Sequence, residues 1–316
     1  MNAGDASPHR RHPGTRSAPV RCLCIEPTRH AKSSGPQSLS TPSRGTFVSE
    51  AASAEPVVLT RREGHVLVVT INRPRAANSI DARVHTLLGE AWVSAETDRD
   101  IRAIVLTGAG SATFCGGADL KALGTGGPGA VTPPETEHWG FAGIVQQPIS
   151  VPVIAAVNGS AMGGGTEIAL VSDMVVASDT AVFGLPEIRR GLIAGAGGAF
   201  RLMSAVPEHI ALEMILTGQP ISAQEAARWG LVNRVVAPTE VLDTALELAR
   251  LCAEGAPLAV RASKRLARRI TDGAIAHEID SWAQNRQELD RLTTTQDVVE
   301  GITAFLQKRD PTWTAQ

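Results

Sequence analysis

The sequence predicts an α/β core over residues 55–238 and a helical region over residues 239–316. Two patterns carry this reading. Short runs rich in β-branched residues, HVLVVTI (His65–Ile71), AIVLT (Ala103–Thr107), VIAAV (Val153–Val157) and MVVAS (Met174–Ser178), alternate with segments of helical apolar spacing. Alternation of a two-residue period with a helical one marks an α/β topology. After Val236 only helical spacing remains, with candidates at Thr239–Cys252, Pro257–Ile270, Ala274–Leu289 and Gln296–Lys308.

Residues 1–54 are rich in Ser, Pro, Arg and Gly without any apolar period. Such a segment cannot bury enough surface to offset the entropy of ordering, so it is expected to be a disordered extension. Arg10, Arg11, Arg16, Arg21, Arg29 and Arg44 match the composition of a mitochondrial transit peptide, but Pro8, Pro13 and Pro19 interrupt the amphipathic helix that such a peptide needs. A dispensable extension from an upstream start is the preferred reading.

The first helix is expected from Asp81 to Glu96. Asp81 serves as N-cap, and Val84, Leu87, Leu88, Ala91 and Trp92 share one face. The strand AIVLTG (Ala103–Gly108) then leads through the glycine turn of TFCGGADL (Thr113–Leu120) into a helix start at Ala118, Asp119, Leu120 and Lys121, where backbone amides lack intrahelical partners. GTGGPG (Gly124–Gly129) satisfies a dinucleotide fingerprint literally, but it follows a helix-like segment and leads into prolines, so it is read as a flexible loop.

Composition excludes several function classes. Of 316 residues, 43% are hydrophobic, enough for a substantial core, while a net charge near −2 and 3% aromatic residues argue against nucleic acid as a partner. No apolar run approaches the roughly 18–20 residues that cross a bilayer. The cysteines, Cys22, Cys24, Cys115 and Cys252, form neither a disulfide framework nor a metal pattern, which fits a reducing, cytoplasmic setting. Cys115 has no nearby histidine to activate it and is expected to pack as a small hydrophobe. His65, His85, His138, His209 and His277 show no metal spacing, so no metal site is expected. Ser160 lies in Asn-Gly-Ser-Ala-Met and not in a nucleophile elbow.

The most informative stretch is GSAMGGGTEIAL (Gly159–Leu170), followed by FGLPEIRRG (Phe183–Gly191). It sets two carboxylates, Glu167 and Glu187, around a glycine-rich helix start. Gly163, Gly164 and Gly165 let a backbone N–H approach a ligand oxygen, and the positive end of the helix faces that oxygen. Two carboxylates beside such donors suit proton transfer next to a developing negative charge. The helix dipole favours an ionised Glu167 and apolar surroundings disfavour it; the sequence leaves that balance open.

Five ordered segments, INRPRAANSID, FCGGADLKAL, AAVNGSAMGGGTEIAL, FGLPEIRRGLIAGAGGAFRL and ISAQEAARWGLVNRVV, resemble the motif series of the enoyl-CoA hydratase/isomerase (crotonase) family, from about Val57 to the C-terminus. ARWGLVNRVV and KRDPTW look especially like its carnitinyl-CoA dehydratase branch. The resemblance implies a spiral of ββα units, which the pattern itself does not reveal, with a helical C-terminal part that packs a homotrimer or a dimer of trimers. It implies a 2-enoyl-CoA hydratase without a separate cofactor, coenzyme A being part of the substrate. The N–H groups of Ala118 and Gly164 would form an oxyanion hole, with Glu167 orienting the water and Glu187 exchanging the C2 proton. Arg73, Arg75, Ala76, Asp119, Leu120 and Lys121 would line the substrate, the arginines near its phosphates. A carnitinyl-CoA-type dehydratase, an enoyl-CoA isomerase and a catalytically idle acyl-CoA-binding protein are the alternatives; the intact glutamate pair favours hydration or dehydration. Ala194, Gly116 and Leu185 depart from common family residues and would reshape the acyl pocket, and the Gly124–Thr136 loop would border it.

Overall fold

The structure, a computed structural model, describes residues 55–316. The expected N-terminal extension, with Cys22 and Cys24, lies outside the described residues.

The chain opens with an antiparallel hairpin, β1 (Val58–Glu63) and β2 (Val66–Ile71), and continues into α1 (Ala82–Thr97). Asp81 caps α1 as expected, its side chain accepting the Val84 N–H at 2.9 Å. Three repeats of strand, strand and helix follow. They are β3 (Ala103–Gly108), β4 (Thr113–Cys115) and α2 (Leu120–Gly126); β5 (Val153–Val157), β6 (Ser160–Met162) and α3 (Gly164–Val171); and β7 (Met174–Ser178), β8 (Val182–Gly184) and α4 (Gly198–Ala205). Then come α5 (Glu208–Thr217), β9 (Ile221–Ser222), α6 (Ala223–Arg228) and β10 (Arg234–Val236).

Each repeat gives its first strand to one sheet and its second to another. The larger sheet runs β1-β2-β3-β5-β7-β10 and is parallel from β2 onward; the smaller runs β4-β6-β8-β9. The chain therefore spirals, advancing one strand per turn in both sheets. Strands β3 and β5 are buried at every position, which explains their unbroken apolar runs. Their two faces still separate by the two-residue period. Ile104, Leu106, Val153, Ala155 and Val157 face the main core, while Ala103, Val105, Ile154 and Ala156 face a second cluster with Val66, Val68 and Val176.

That second face is covered by α7 (Val241–Glu254), whose Val241, Ala245, Leu246 and Ala249 fall on one stripe at helical spacing. Each large apolar side chain so buried stabilises the fold by about 1.5–3 kcal/mol. Although α7 lies past residue 238, it is part of the packing of the sheet. The remaining elements are α8 (Pro257–Arg268), the small hairpin of β11 (Ile270–Thr271) and β12 (Ala274–Ile275), α9 (Ile279–Thr293) and α10 (Gln296–Gln307).

Two expectations are corrected. The helix expected from Ala274 begins only at Ile279, because Asp272 and Gly273, at φ 50° and 76°, turn the chain between β11 and β12. Nor is Gly124–Gly129 wholly a loop. Gly124–Gly126 forms the last turn of α2, and a Cβ on Gly124 would lie 3.2 Å from Leu306 Cδ1, so the missing side chain lets α10 lie against α2. None of the helices among the described residues is long and apolar enough to cross a membrane.

Candidate active site

Two backbone amides come together where β4 and β6 end. In the bridge between Ile80 and Ala118, the Ile80 N–H donates to the Gly117 carbonyl and the Ile80 carbonyl accepts the Asp119 N–H, both at 2.9 Å. A parallel bridge of this kind engages both neighbours of Ala118 and leaves its own N–H free. Gly164, the first residue of α3, likewise has no intrahelical acceptor for its N–H. Neither amide has a hydrogen-bond partner among the described residues. The loops are in contact: a Cβ on Gly117 would sit 3.0 Å from the Gly164 nitrogen. Gly163, at φ 55°, makes the left-handed turn into α3, and a Cβ there would lie 2.8 Å from Glu187 Oε1. The sequence-expected pair Ala118 and Gly164 is thus brought together beside Glu187.

Glu167 lies in the first turn of α3 and is only 3% exposed; its Oε1 accepts the Gly198 N–H at 2.8 Å. Burial pushes its carboxyl up to about 7, against the pull of the Gly198 and Ala196 amides and of the Arg201 charge. Glu187 stands in the 3-10 turn Glu187–Arg190, and its Oε2 is buried without a partner among the described residues. Burial, and then the charge of Glu167, push its carboxyl up to about 8. Both carboxyls are therefore raised toward neutrality. Glu167 has the amide donors and the nearby cation, so its ionised form is the better supported of the two. This balance between burial and compensating donors is what the sequence left open.

A stability consequence follows from the sign of these shifts. A carboxyl whose folded value lies above its unfolded one binds more protons when folded, so its contribution to stability falls as pH rises between the two values. Glu187→Gln, which removes the ionisation, is expected to match wild type in chemical denaturation near pH 5 and to exceed it by more than about 1 kcal/mol at pH 9. An equal difference at both values would contradict the burial of an uncompensated carboxyl.

The substrate-lining residues expected from sequence separate into two sets. Arg73 points inward: Nη2 donates to Asp119 Oδ2 at 2.9 Å and lies 3.2 Å from Asp81 Oδ2, and Nη1 donates to the Ser79 carbonyl at 2.7 Å. Asp119 caps α2 through the Lys121 and Ala122 amides. Burial works against its ionisation, yet the Arg73 hydrogen bond and these amides hold its carboxyl below the ordinary range. Arg75 and Lys121, by contrast, are exposed, and their side chains have no hydrogen bond or ion pair among the described residues. Ala76 and Leu120 are half-buried beside them.

Sequence reasoning missed several contributors. Asn78, buried at φ 51°, donates through Nδ2 to the Ala109 and Thr113 carbonyls at 3.0 and 2.7 Å and accepts the Arg73 N–H, so it fixes the segment leading to Ile80. Its Asn side chain, which tolerates positive φ, was the available signal. Phe141 follows the expected acyl-site loop. A Cβ on Gly164 would lie 2.3 Å from its Cε1, so the ring covers the α3 start. Cys115 is buried with its thiol pushed up to about 12 by burial, in keeping with packing. A cavity of about 330 Å³ lies elsewhere, lined by Arg201, Glu278, Asp173 and Arg268 among others, and neither glutamate of the pair reaches it.

An α/β spiral that places unpaired amides against one buried and one half-buried carboxylate, both raised toward neutrality, is the architecture of an acid–base enzyme. Residues 61–316 match the family model described as enoyl-CoA hydratase/isomerase. Carnitinyl-CoA dehydratase of Salmonella arizonae is 42% identical over 261 residues, covering 80% of this chain and 96% of that protein. A crystal structure of carnitinyl-CoA hydratase from Mycobacterium avium superposes with a TM-score of 0.80 at 46% identity, covering 83% of this chain and 99% of that one. A crystal structure of enoyl-CoA hydratase from Mycobacterium tuberculosis gives a TM-score of 0.64 at 37% identity, covering 83% of this chain and 100% of that one. The chain belongs to the enoyl-CoA hydratase/isomerase family, has the crotonase fold and is an enzyme of the hydro-lyase class.

Proposed function

We propose that the protein catalyses the reversible addition of water to a 2-enoyl-CoA thioester, and that carnitinyl-CoA-type substrates are the first to test within that class. The single observation that carries this reading is the Glu167–Glu187 pair, both carboxyls raised toward neutrality by burial, beside the unpaired amides of Ala118 and Gly164. The carnitinyl refinement is supported by the names of relatives at 42% and 46% identity.

In hydration, the Glu167 carboxylate takes a proton from water as the water oxygen bonds to C3. The C2–C3 double-bond electrons move toward the thioester, and negative charge grows on its carbonyl oxygen. The Ala118 and Gly164 N–H groups stabilise that charge; one such donor is worth roughly 3–4 kcal/mol in the transition state. Glu187 then delivers its proton to C2. The cycle leaves Glu167 protonated and Glu187 ionised, and transfer of one proton between them restores the start. Dehydration is the reverse. No cofactor apart from the coenzyme A of the substrate takes part, and the reaction is assigned to the cytoplasm.

Turnover of a panel of thioesters (crotonyl-CoA, longer 2-enoyl-CoAs and crotonobetainyl-CoA) by the purified protein tests the reading. Hydration of at least one is expected. Migration of a double bond without hydration would make the protein an isomerase, and tight binding without any turnover would make it an idle acyl-CoA-binding protein.

Arg75 and Lys121 are assigned to the coenzyme A phosphates, and Arg73 to the bracing of the Ala118 loop. Arg75→Ala is accordingly expected to raise KM with kcat unchanged. Arg73→Ala instead leaves Asp81 and Asp119 without their shared cation, and should cost about 1–3 kcal/mol of stability by thermal or chemical denaturation. The reverse pattern would overturn the assignment.

The C-terminal helices are assigned to subunit contacts. Leu258 and Leu266 of α8 are 83% and 81% exposed in the single chain, and their burial would be favourable in a closed ring. A trimer or a dimer of trimers is expected by light scattering at micromolar concentration; a monomer would refute it.

A further inference from the structure

Glu167 is held by the Gly198 N–H, and Gly198 opens α4. What holds α4 and the turn before it lies far along the chain. Arg201, one turn into α4, forms a two-pronged pair with Glu278: Nε donates to Oε1 at 2.9 Å and Nη2 to Oε2 at 2.6 Å, while Nη2 also donates to the Val145 carbonyl at 2.6 Å. Both residues are buried, at 7% and 6% exposure. The Trp282 Nε1–H donates to Glu278 Oε2 at 3.2 Å, Asn285 Nδ2 donates to the Gly195 carbonyl at 2.8 Å, and a Cβ on Gly195 would lie 3.0 Å from Leu289 Cδ1. Glu278, Trp282, Asn285 and Leu289 follow helical spacing, so a single stripe leading into and along α9 backs the whole Gly195–Gly198 turn.

We propose that Arg201 and Glu278 are positioning residues for Glu167: through the Gly195–Gly198 turn they fix its carboxylate against the reacting water, and their two charges set its affinity for a proton. The proposal rests on the reading of Glu167 as the water-activating group. Arg201 Nη1 supports it. This atom is buried, has no partner among the described residues and would lie 2.8 Å from a Cβ on Gly197, so the guanidinium sits directly under the turn. Replacing a buried ion pair of this kind with apolar side chains is often neutral for stability, so stability alone gives no reason for a charged pair here.

The charged groups acting on Glu167 are few. Its own helix has no other titratable residue, β5 and β6 have none, and β4 contributes only the Cys115 thiol, which stays neutral. Arg201 from α4 favours the carboxylate, while the neighbouring Glu187 competes with it for the shared proton. Glu278 faces Arg201 and offsets part of its charge.

Opposite signs follow for two variants. Glu278→Gln leaves the Arg201 charge uncompensated and should lower the Glu167 midpoint, whereas the double variant R201M/E278M removes the cation and should raise it, each by about one pH unit. The midpoint is read twice, in the kcat–pH profile and by infrared titration of the carboxyl band assigned with Glu167→Gln, with folding checked by circular dichroism. KM should change less than kcat, and Arg201→Lys should restore the wild-type midpoint. Midpoints unmoved in both folded variants would overturn the proposal even if activity fell. Absence of turnover in wild type would instead strike the functional reading, since the infrared titration still reports on Arg201 and Glu278. If the charge variants do not fold, Asn285→Ala tests the bracing alone: a kcat loss of about tenfold or more at constant KM supports it, and wild-type kcat overturns it.

Discussion

Glu187→Gln is expected to lower turnover of the cognate thioester by about 10²–10⁴-fold with little change in substrate binding. Glutamine keeps the size of the side chain, but its amide N–H is far too weak an acid to protonate C2. Glu187 Oε2 is buried with no partner among the described residues, so no neighbouring side chain is placed to stand in for it. Glu167→Gln should cost a similar factor for another reason. Its Oε1 can still accept the Gly198 N–H, but an amide cannot take a proton from water. The two substitutions should combine to far less than the product of their effects, because each breaks the same proton circuit. Turnover within about threefold of wild type in either folded variant, on a substrate established as its own, would remove the two-carboxylate mechanism.

Gly164→Ala is expected to reduce kcat/KM by about 10²–10³-fold in a protein that still folds. Gly164 is the first residue of the α3 helix and is not among the positive-φ glycines, so its backbone conformation itself admits alanine. The added Cβ, however, would lie 2.3 Å from Phe141 Cε1, well inside contact, and either the ring or the α3 start must move. A movement of the α3 start carries the donor N–H away from the oxygen it is meant to meet. The double variant F141A/G164A separates the two possibilities. Recovery of most of the lost activity would place the damage in the clash, while no recovery would mean that the alanine methyl itself occupies substrate space.

Much of this was legible in the sequence, for identifiable reasons. MVVAS coincides with β7 and Asp81 caps α1, because a doubly buried strand and a capped amphipathic helix each write their period into consecutive residues. The glycine run and the two glutamates were legible differently, as local motifs rather than as a period. The smaller sheet was not: its strands are two or three residues long, too short to show a period, and only the resemblance implied the spiral. Long-range pairing was equally hidden. Nothing local to Arg73, which was expected at the substrate, says that it faces Asp119, and nothing local to Arg201 says that it meets Glu278. The Asp272–Gly273 turn carried a readable hairpin signal, and the helical pattern expected from Ala274 masked it.

The bridge at Ile80 means that the Ala118 amide stays available only while the two segments keep their phase. Pairing alternates along a strand, so displacing Ile80 by a single residue would exchange the engaged and idle amides and cap the Ala118 N–H with a carbonyl. Inserting or deleting one residue between Asn72 and Ser79 would then leave the protein compact and its glutamates in place while extinguishing one of the two donors. The short segment that carries Asn78 and Arg73 is in this sense a phase lock: it specifies which amide, out of a run of chemically identical ones, is left for the substrate.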